Sequence, residues 1–252
     1  MLAQPFTQVA PVYEAYRHGY APETIATIKQ QTGLGPSSAV LDVACGTGLV
    51  GRAFREAHRL MGLDLSWGML AQAQRHDPQA SWVQGVAEQL PFPDHSFDLV
   101  TVGQAIHWLK LEQFVPTVAR VLKPGGWLVV LSKYPSPHEP YRSLLESTLS
   151  HFLPEQGDPF QLTQVFGAGN LLGLERAGFA HYRREVFTWR VEHRLESYLQ
   201  GCTTDPRVQA LTEEQRAAFL QMMEGELRPR TTPSLTFNET YFDYVLIWQF
   251  QG

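Results

Sequence analysis

The chain has 252 residues, 44% of them hydrophobic, with a formal net charge of −5 and a pI near 6.0. That suits one large domain, or a core with insertions, and the acidic balance argues against a nucleic-acid partner, since binding phosphates takes a basic surface. Two distant cysteines, Cys45 and Cys202, without a CxxC pair argue against a structural zinc or iron–sulfur site; with no signal peptide and no apolar run of roughly 18 residues, the expectation is a cytoplasmic protein without a membrane span.

The predicted elements begin with an aromatic N-terminal stretch, Phe6, Val9, Tyr13, Tyr16, Arg17 and Tyr20. Its spacing suits an amphipathic helix packed on a sheet. Ala39–Val43 is a short apolar run ending in glycines, so a buried strand. Leu49–Ala57 has helical spacing. Arg59–Leu65 reads as a second strand and Ser66–Gln74 as a helix with Ser66 as N-cap. Ser81–Gly85 and Phe97–Gly103 are the third and fourth strands, and Leu111–Leu122 is a helix. Lys123-Pro124-Gly125-Gly126 is a turn, and Trp127–Ser132 is a fifth strand. Strands alternating with helices predict a mainly parallel sheet with right-handed crossovers.

The pattern changes after Ser132. Tyr134–Pro140 carries three prolines. Tyr141–Phe152 is helical, Pro154–Phe160 a loop, and Gly169–Ala177 a helix capped by Gly178. His181–Arg190 alternates like a strand, Glu192–Leu227 is polar and helical with breaks near Pro206 and at Pro229, and Leu235–Phe250 ends in an aromatic strand. The reading is one domain over 1–252. Its core covers about 35–133 with parts of 169–190 and 235–252. Insertions at about 134–168 and 191–232 are expected to cover a substrate.

Gly46-Thr47-Gly48-Leu49-Val50-Gly51 matches GxGxxG between a strand and a helix, a spacing that by itself suggests a dinucleotide. Asp64 follows at the end of the second strand, where a carboxylate can accept hydrogens from ribose hydroxyls. Asp42 discriminates. A carboxylate at this loop would repel a pyrophosphate, whereas it favours a ligand carrying an ammonium and a sulfonium. The plain structural reading is that the glycines only make a tight turn, but that does not account for acids at both strand ends.

The stretch Val40-Leu41-Asp42-Val43-Ala44-Cys45-Gly46-Thr47-Gly48 resembles the first motif of class I S-adenosylmethionine-dependent methyltransferases, with Ala44 at its first glycine position. Further resemblances follow in order: Gly62-Leu63-Asp64-Leu65-Ser66 with Met69-Leu70; Gly85-Val86-Ala87-Glu88-Gln89-Leu90-Pro91-Phe92 with Asp94 and Ser96-Phe97-Asp98; and Arg120-Val121-Leu122-Lys123-Pro124-Gly125-Gly126. Together they span about residues 38–131. The resemblance implies a doubly wound, Rossmann-like α/β fold. Its sheet has seven strands, mostly parallel with the last antiparallel, and its helical insertions form a cap. It implies S-adenosyl-L-methionine as cofactor. Asp42, Ala44, Gly46, Gly48, Asp64, Leu65, Met69, Ala87, Glu88 and Gln104 are the expected contacts. Met69 and Leu70 are read equally well as core. The family often has Asp, accepting from the adenine amine, where this chain has Val86; Glu88 or a backbone carbonyl would have to substitute.

Gly103-Gln104-Ala105-Ile106-His107-Trp108 follows the fourth strand and resembles the Gln-Ala-x-His-Trp signature of a small-molecule subgroup that includes trans-aconitate methyltransferase-like proteins. Gln104 and His107 are the candidate catalytic residues. His107 reads either as a general base or as a residue that orients a ligand or loop, and Trp108 either as packing or as a pocket wall. The N-terminal stretch resembles a helix that folds over the cofactor in related enzymes. On that reading Arg17 pairs with the methionine carboxylate, and Tyr13 and Tyr16, with His107 and Trp108, face the substrate. Arg183, Arg184, Arg190, Arg194, Arg207, Arg216, Arg228 and Arg230 read as a solvated face, or as a site for a carboxylate. The expected partner is a small-molecule methyl acceptor, with no nucleic acid, membrane or metal, in a monomer or homodimer. The rivals are an RNA or protein methyltransferase, a non-catalytic cofactor-binding module, and an NAD-dependent oxidoreductase.

Overall fold

Seven strands form one sheet in a computed structural model that describes residues 10, 12–14, 16–153 and 173–252. They are β1 (Ala39–Val43), β2 (Arg59–Asp64), β3 (Ser81–Gln84), β4 (Phe97–Gly103), β5 (Leu122–Pro135), β6 (Phe179–Arg194) and β7 (Thr236–Phe250), in spatial order β3-β2-β1-β4-β5-β7-β6. The pairs β1–β2, β1–β4, β2–β3 and β4–β5 are parallel. Ser136 N–H donates to the Thr240 carbonyl while the Gln249 side chain reaches the Gly125 carbonyl, so β7 runs antiparallel to β5. Likewise Gln251 meets Gly178 and Leu195 meets Leu235, so β6 and β7 are antiparallel.

The chain divides into two compact units. The larger holds Gly19–Lys133, Leu162–Phe187 and Asp243–Gly252; the smaller holds Met1–His18, Tyr134–Gln161 and Thr188–Phe242. In the larger unit the strands are apolar on both faces. Val40, Leu99, Val129, Leu131, Val245 and Ile247 pack on one side with Ile28 of α1 (Pro22–Thr32) and Phe54. Their neighbours Leu41, Val43, Val100, Val102, Leu128 and Val130 pack on the other with Phe114 and Val118. Period-two alternation sends successive side chains to opposite faces, so a sheet covered on both sides reads as continuous apolar runs. α2 (Trp67–His76) starts at Ser66, whose hydroxyl accepts from Met69 N–H, as its sequence predicts. α3 (Leu111–Val121) connects β4 to β5.

The smaller unit contains α4 (Pro140–Phe152), α5 (Leu195–Cys202), α6 (Pro206–Ala210) and α7 (Glu213–Leu227). Leu149, Leu195, Val208, Phe219, Met223 and Leu227 form its core.

Strands β5 and β6 run longer than the sequence reading, β6 taking residues 192–194 from the expected helix, and local detail departs from it in three further places. Residues 49–57 form turns and a short 3-10 helix, Gly51–Phe54, instead of an α-helix. The Asp42 carboxylate takes the Gly51 N–H, which fixes the start of that turn. The helix α1 carries no side-chain cap of its own; Asp243 on β7 accepts from Ala21 N–H and the Thr24 hydroxyl, 222 and 219 positions away. Residues 123–126 loop out within β5, with Gly125 at φ +81° and the pairing jumping from Phe97↔Leu122 to Leu99↔Trp127. The expected loop Pro154–Phe160, and residues 169–172 of the expected helix Gly169–Ala177, lie outside the described residues, as do Phe6 and Val9.

Candidate functional site

From β1 the chain steps outward to β2 and β3, then crosses back to β4 on the other side of β1. Crossovers diverging from neighbouring strands leave a crevice beyond the carboxyl ends of β1 and β4, where open α/β sheets bind ligands. Four loops of the larger unit reach that edge: residues 44–50, 65–66, 85–89 and 104–108.

The first loop is an alternation of left-handed residues, Ala44 at φ 52°, Gly46 at 55° and Gly48 at 80°. The glycines there do different work. A Cβ on Gly46 would meet nothing within 4 Å, so this backbone faces open space. A Cβ on Gly48 would lie 2.5 Å from the Trp82 ring, and one on Gly62 2.3 Å from the same ring, so both are required by packing. Thr47 is 1% exposed, and its hydroxyl has no hydrogen-bond partner.

The two acids of the motif also separate. Asp42 does not border the ligand face as its sequence suggests. It is fully buried, with one oxygen accepting from Gly51 N–H (2.8 Å) and the other from the Thr101 hydroxyl (2.9 Å). Burial pushes its carboxyl up to about 7, against the pull of those two hydrogen bonds, and the charge of Asp64 adds to the rise. Asp64 is half-buried at the rim. Its oxygens accept from Gly46 N–H (2.8 Å) and Ser66 N–H (2.7 Å). Each carboxylate oxygen can accept a second bond, so Asp64 braces the loop and still offers acceptors outward. Burial raises its pKa too, opposed by those same amides.

On the neighbouring loops, Leu65 is 46% and Val86 43% exposed. Met69, Leu70 and Ala87 are buried. Glu88 is half-buried, its Oε1 accepting from Lys110 N–H at 2.9 Å, so it anchors the start of α3.

After β4, Gln104 adopts φ 56°, unusual for a residue with a side chain, and its amide nitrogen donates to the Lys133 carbonyl at 2.6 Å. Strained residues of this kind gather at ligand sites. Next comes a 3-10 turn, Ile106–Trp108, with Ala105 and Ile106 buried beneath it. His107 is half-buried, 4.9 Å from the Trp108 ring centroid to centroid, and burial lowers its pKa, so the imidazole is neutral at pH 7. Trp108 is exposed.

Tyr13, Tyr16 and Arg17 belong to the smaller unit, not to the unit carrying the glycine loop. Arg17 donates from Nε to the Thr204 hydroxyl (3.0 Å) and lies 5.4 Å over the Tyr13 ring, while Tyr16 packs beside Gly201. Four of the eight arginines in the arginine-rich stretch are committed to their own chain. Arg207 pairs with Glu146 and Asp205, Arg216 donates to the Val208, Gln209 and Leu211 carbonyls, and Arg228 and Arg230 pair with Glu224 and Glu226.

Sequence reasoning missed Thr101, Trp82 and the Gln104–Lys133 contact. Only Trp82 left a signal, since a tryptophan on β3 faces a glycine in register, Gly62↔Trp82. It also missed a buried cluster in the smaller unit: His193 Nε2 lies 3.2 Å from Glu239 Oε2, ringed by Tyr198, Phe237 and Tyr241.

Residues 41–130 match the family model described as a methyltransferase domain. An uncharacterized methyltransferase of Synechocystis sp. is 34% identical over 160 residues, covering 61% of this chain and 72% of that one. A demethylmenaquinone methyltransferase of Renibacterium salmoninarum is 32% identical over 159 residues, covering 61% and 67%. Among solved structures, phosphoethanolamine N-methyltransferase 2 of Haemonchus contortus, in complex with phosphomonomethylethanolamine and S-adenosylhomocysteine, superposes with a TM-score of 0.51. It covers 95% of this chain and 57% of that one at 17% identity, a likeness of fold.

Proposed function

The chain belongs to the class I S-adenosylmethionine-dependent methyltransferases, and from that premise we propose that it methylates a small molecule at the carboxyl edge of β4. The observation that carries the reading is the pairing of an open Gly46 backbone with the outward acceptors of Asp64.

The residues fit the cofactor. The space over Gly46 admits a ligand against bare backbone, and Asp64 accepts from a ribose diol. Ala44, Gly46 and Gly48 shape the cradle, Leu65 and Ala87 flank the base, and Gln104, fixed by the Lys133 carbonyl, sits where the methyl donor meets its acceptor. Asp42 acts through the loop, holding Gly51 and Thr101, and is a positioning residue. When bound, the cofactor supplies an electrophilic methyl group on a sulfonium.

His107 accepts a proton from a hydroxyl or amine acceptor, and its lowered pKa keeps the imidazole basic-form at neutral pH. A carboxylate acceptor needs no base, and orientation alone supplies roughly 7–11 kcal/mol of such a barrier. Trp108 forms an aromatic wall beside it. The stretch Gln104–Trp108, through its resemblance to the trans-aconitate-like subgroup, supports a small acceptor, as does the name of the R. salmoninarum relative.

Transfer of labelled methyl to a panel of hydroxyl, carboxylate, amine and carbon-nucleophile acceptors, with RNA and protein pools alongside, tests the reading. Label is expected in a small molecule. With a protic acceptor, His107→Ala is expected to lower kcat by about 10²–10⁴, and the acid limb of kcat/KM in the parent enzyme should fall below the ordinary histidine pKa. Label only in RNA or protein overturns the acceptor class. Tight cofactor binding with no transfer to anything overturns the enzyme reading in favour of a binding module.

A further inference from the structure

Two polar side chains at the β3 end of the site, Gln84 and Glu88, are engaged by neighbouring backbone groups. With the ribose on Asp64 at the end of β2 and the methyl donor toward β4, the order β3-β2-β1-β4 puts the base on the β3 side. Register Asp64↔Gln84 sets the residues after β3 beside those after β2. Leu65 (46%), Val86 (43%) and Trp67 (65%) expose apolar side chains there, and Gln84 and Gln89 are the exposed polar ones. Glu88 gives Oε1 to Lys110 N–H, and Gln84 turns its amide nitrogen to the Leu65 carbonyl at 3.0 Å.

We infer that the adenine of the cofactor is held by apolar contact with Leu65 and Val86 and that its exocyclic amine is left to water, so that this protein does not select for the amine. The inference rests on the cofactor site proposed above. An amine that keeps its water gains and loses little on binding, whereas an amine donating to a carboxylate makes a charge-assisted bond. Val86 is the residue that decides specificity, because a short carboxylate at an exposed position next to the base is what would read the amine.

Titration calorimetry on the full chain with two probes tests this: S-adenosylhomocysteine, and its purine counterpart in which hydrogen replaces the exocyclic amine. The two are expected to bind within about threefold of each other, where a charge-assisted bond would separate them by about tenfold or more. Val86→Asp is expected to create that preference, and Glu88→Gln to leave the parent ratio unchanged. A tenfold preference in the parent protein overturns the inference. So does a Val86→Asp variant that binds both probes equally, since Val86 would then lie away from the amine. Failure of both probes to bind the parent protein overturns the cofactor site itself, and the inference with it.

Discussion

The two units use their carboxylates differently. In the larger, the acids at the edge that carries the glycine loop hold backbone N–H groups, Asp42 that of Gly51 and Asp64 those of Gly46 and Ser66, while Asp77, Asp94 and Asp98 elsewhere in that unit pair with Arg55, Arg120 and Lys123. In the smaller, acids hold mostly cations, Glu146 and Asp205 on Arg207, Glu224 on Arg228 and Glu226 on Arg230, with Asp205 and Glu139 also taking the N–H groups of Arg207 and Thr240. A carboxylate bound to backbone fixes the path of a loop, and a loop of fixed path is what a binding site needs. A carboxylate bound to arginine ties helices together and leaves less charge for a ligand. Alanine changes at Asp42 and Asp64 should therefore disturb the site, while changes at the paired arginines of the smaller unit should cost stability alone.

The largest effect is expected at Asp42→Ala, which strands two buried donors at about 1–3 kcal/mol each; chemical denaturation should show a loss of roughly 2–5 kcal/mol, with cofactor affinity falling as the loop relaxes. Asp42→Asn sharpens the point, because its amide keeps an acceptor for Gly51 and a donor for Thr101. The Asp42 carboxyl is raised to about 7 in the folded protein, so its stabilising contribution is complete below the usual carboxylate range and is lost as pH rises through about 7. The stability of Asp42→Asn relative to the parent should therefore climb between pH 4 and pH 7 and level off above. A flat difference across that range would contradict the buried assignment.

Next in size is Arg207→Ala. The Arg207 side chain is 10% exposed between two acids, and its loss should cost about 1–3 kcal/mol, with cofactor binding unchanged. Ala44→Gly should stabilise by about 0.5–1 kcal/mol, since Ala44 holds a left-handed backbone. Arg228→Ala, an exposed i,i+4 pair, should stay within about 0.5 kcal/mol. If Arg207→Ala weakened cofactor binding as much as Asp42→Ala, the contrast between the units would fail.

The strands were legible because a sheet covered on both faces leaves unbroken apolar runs: Ala39–Val43 and Phe97–Gly103 are read directly from sequence. What was not legible depends on distant partners. The helix Pro22–Thr32 was not assigned from sequence, and its N-terminal cap comes from Asp243. Residues 49–57 have helical spacing, yet the Asp42 carboxylate claims the Gly51 amide and a 3-10 turn results. At the site, Asp64 and the glycines stood out as residue types at a known spacing. The role of Asp42 did not, because Thr101 lies 59 positions on. The bond from Arg17 to Thr204 left no signal either, because its partners lie 187 positions apart.

The most direct test is calorimetric binding of S-adenosylhomocysteine and of NAD to the parent chain and to Asp64→Ala. S-adenosylhomocysteine should bind the parent and NAD should not, and at one hundred times its dissociation constant the former should add about 2.7 kcal/mol of stability. Asp64→Ala should lose at least about tenfold in affinity, or 1.4 kcal/mol. Preferential binding of NAD, or undiminished binding of S-adenosylhomocysteine by Asp64→Ala, would contradict the assignment of this edge of the sheet as the cofactor site.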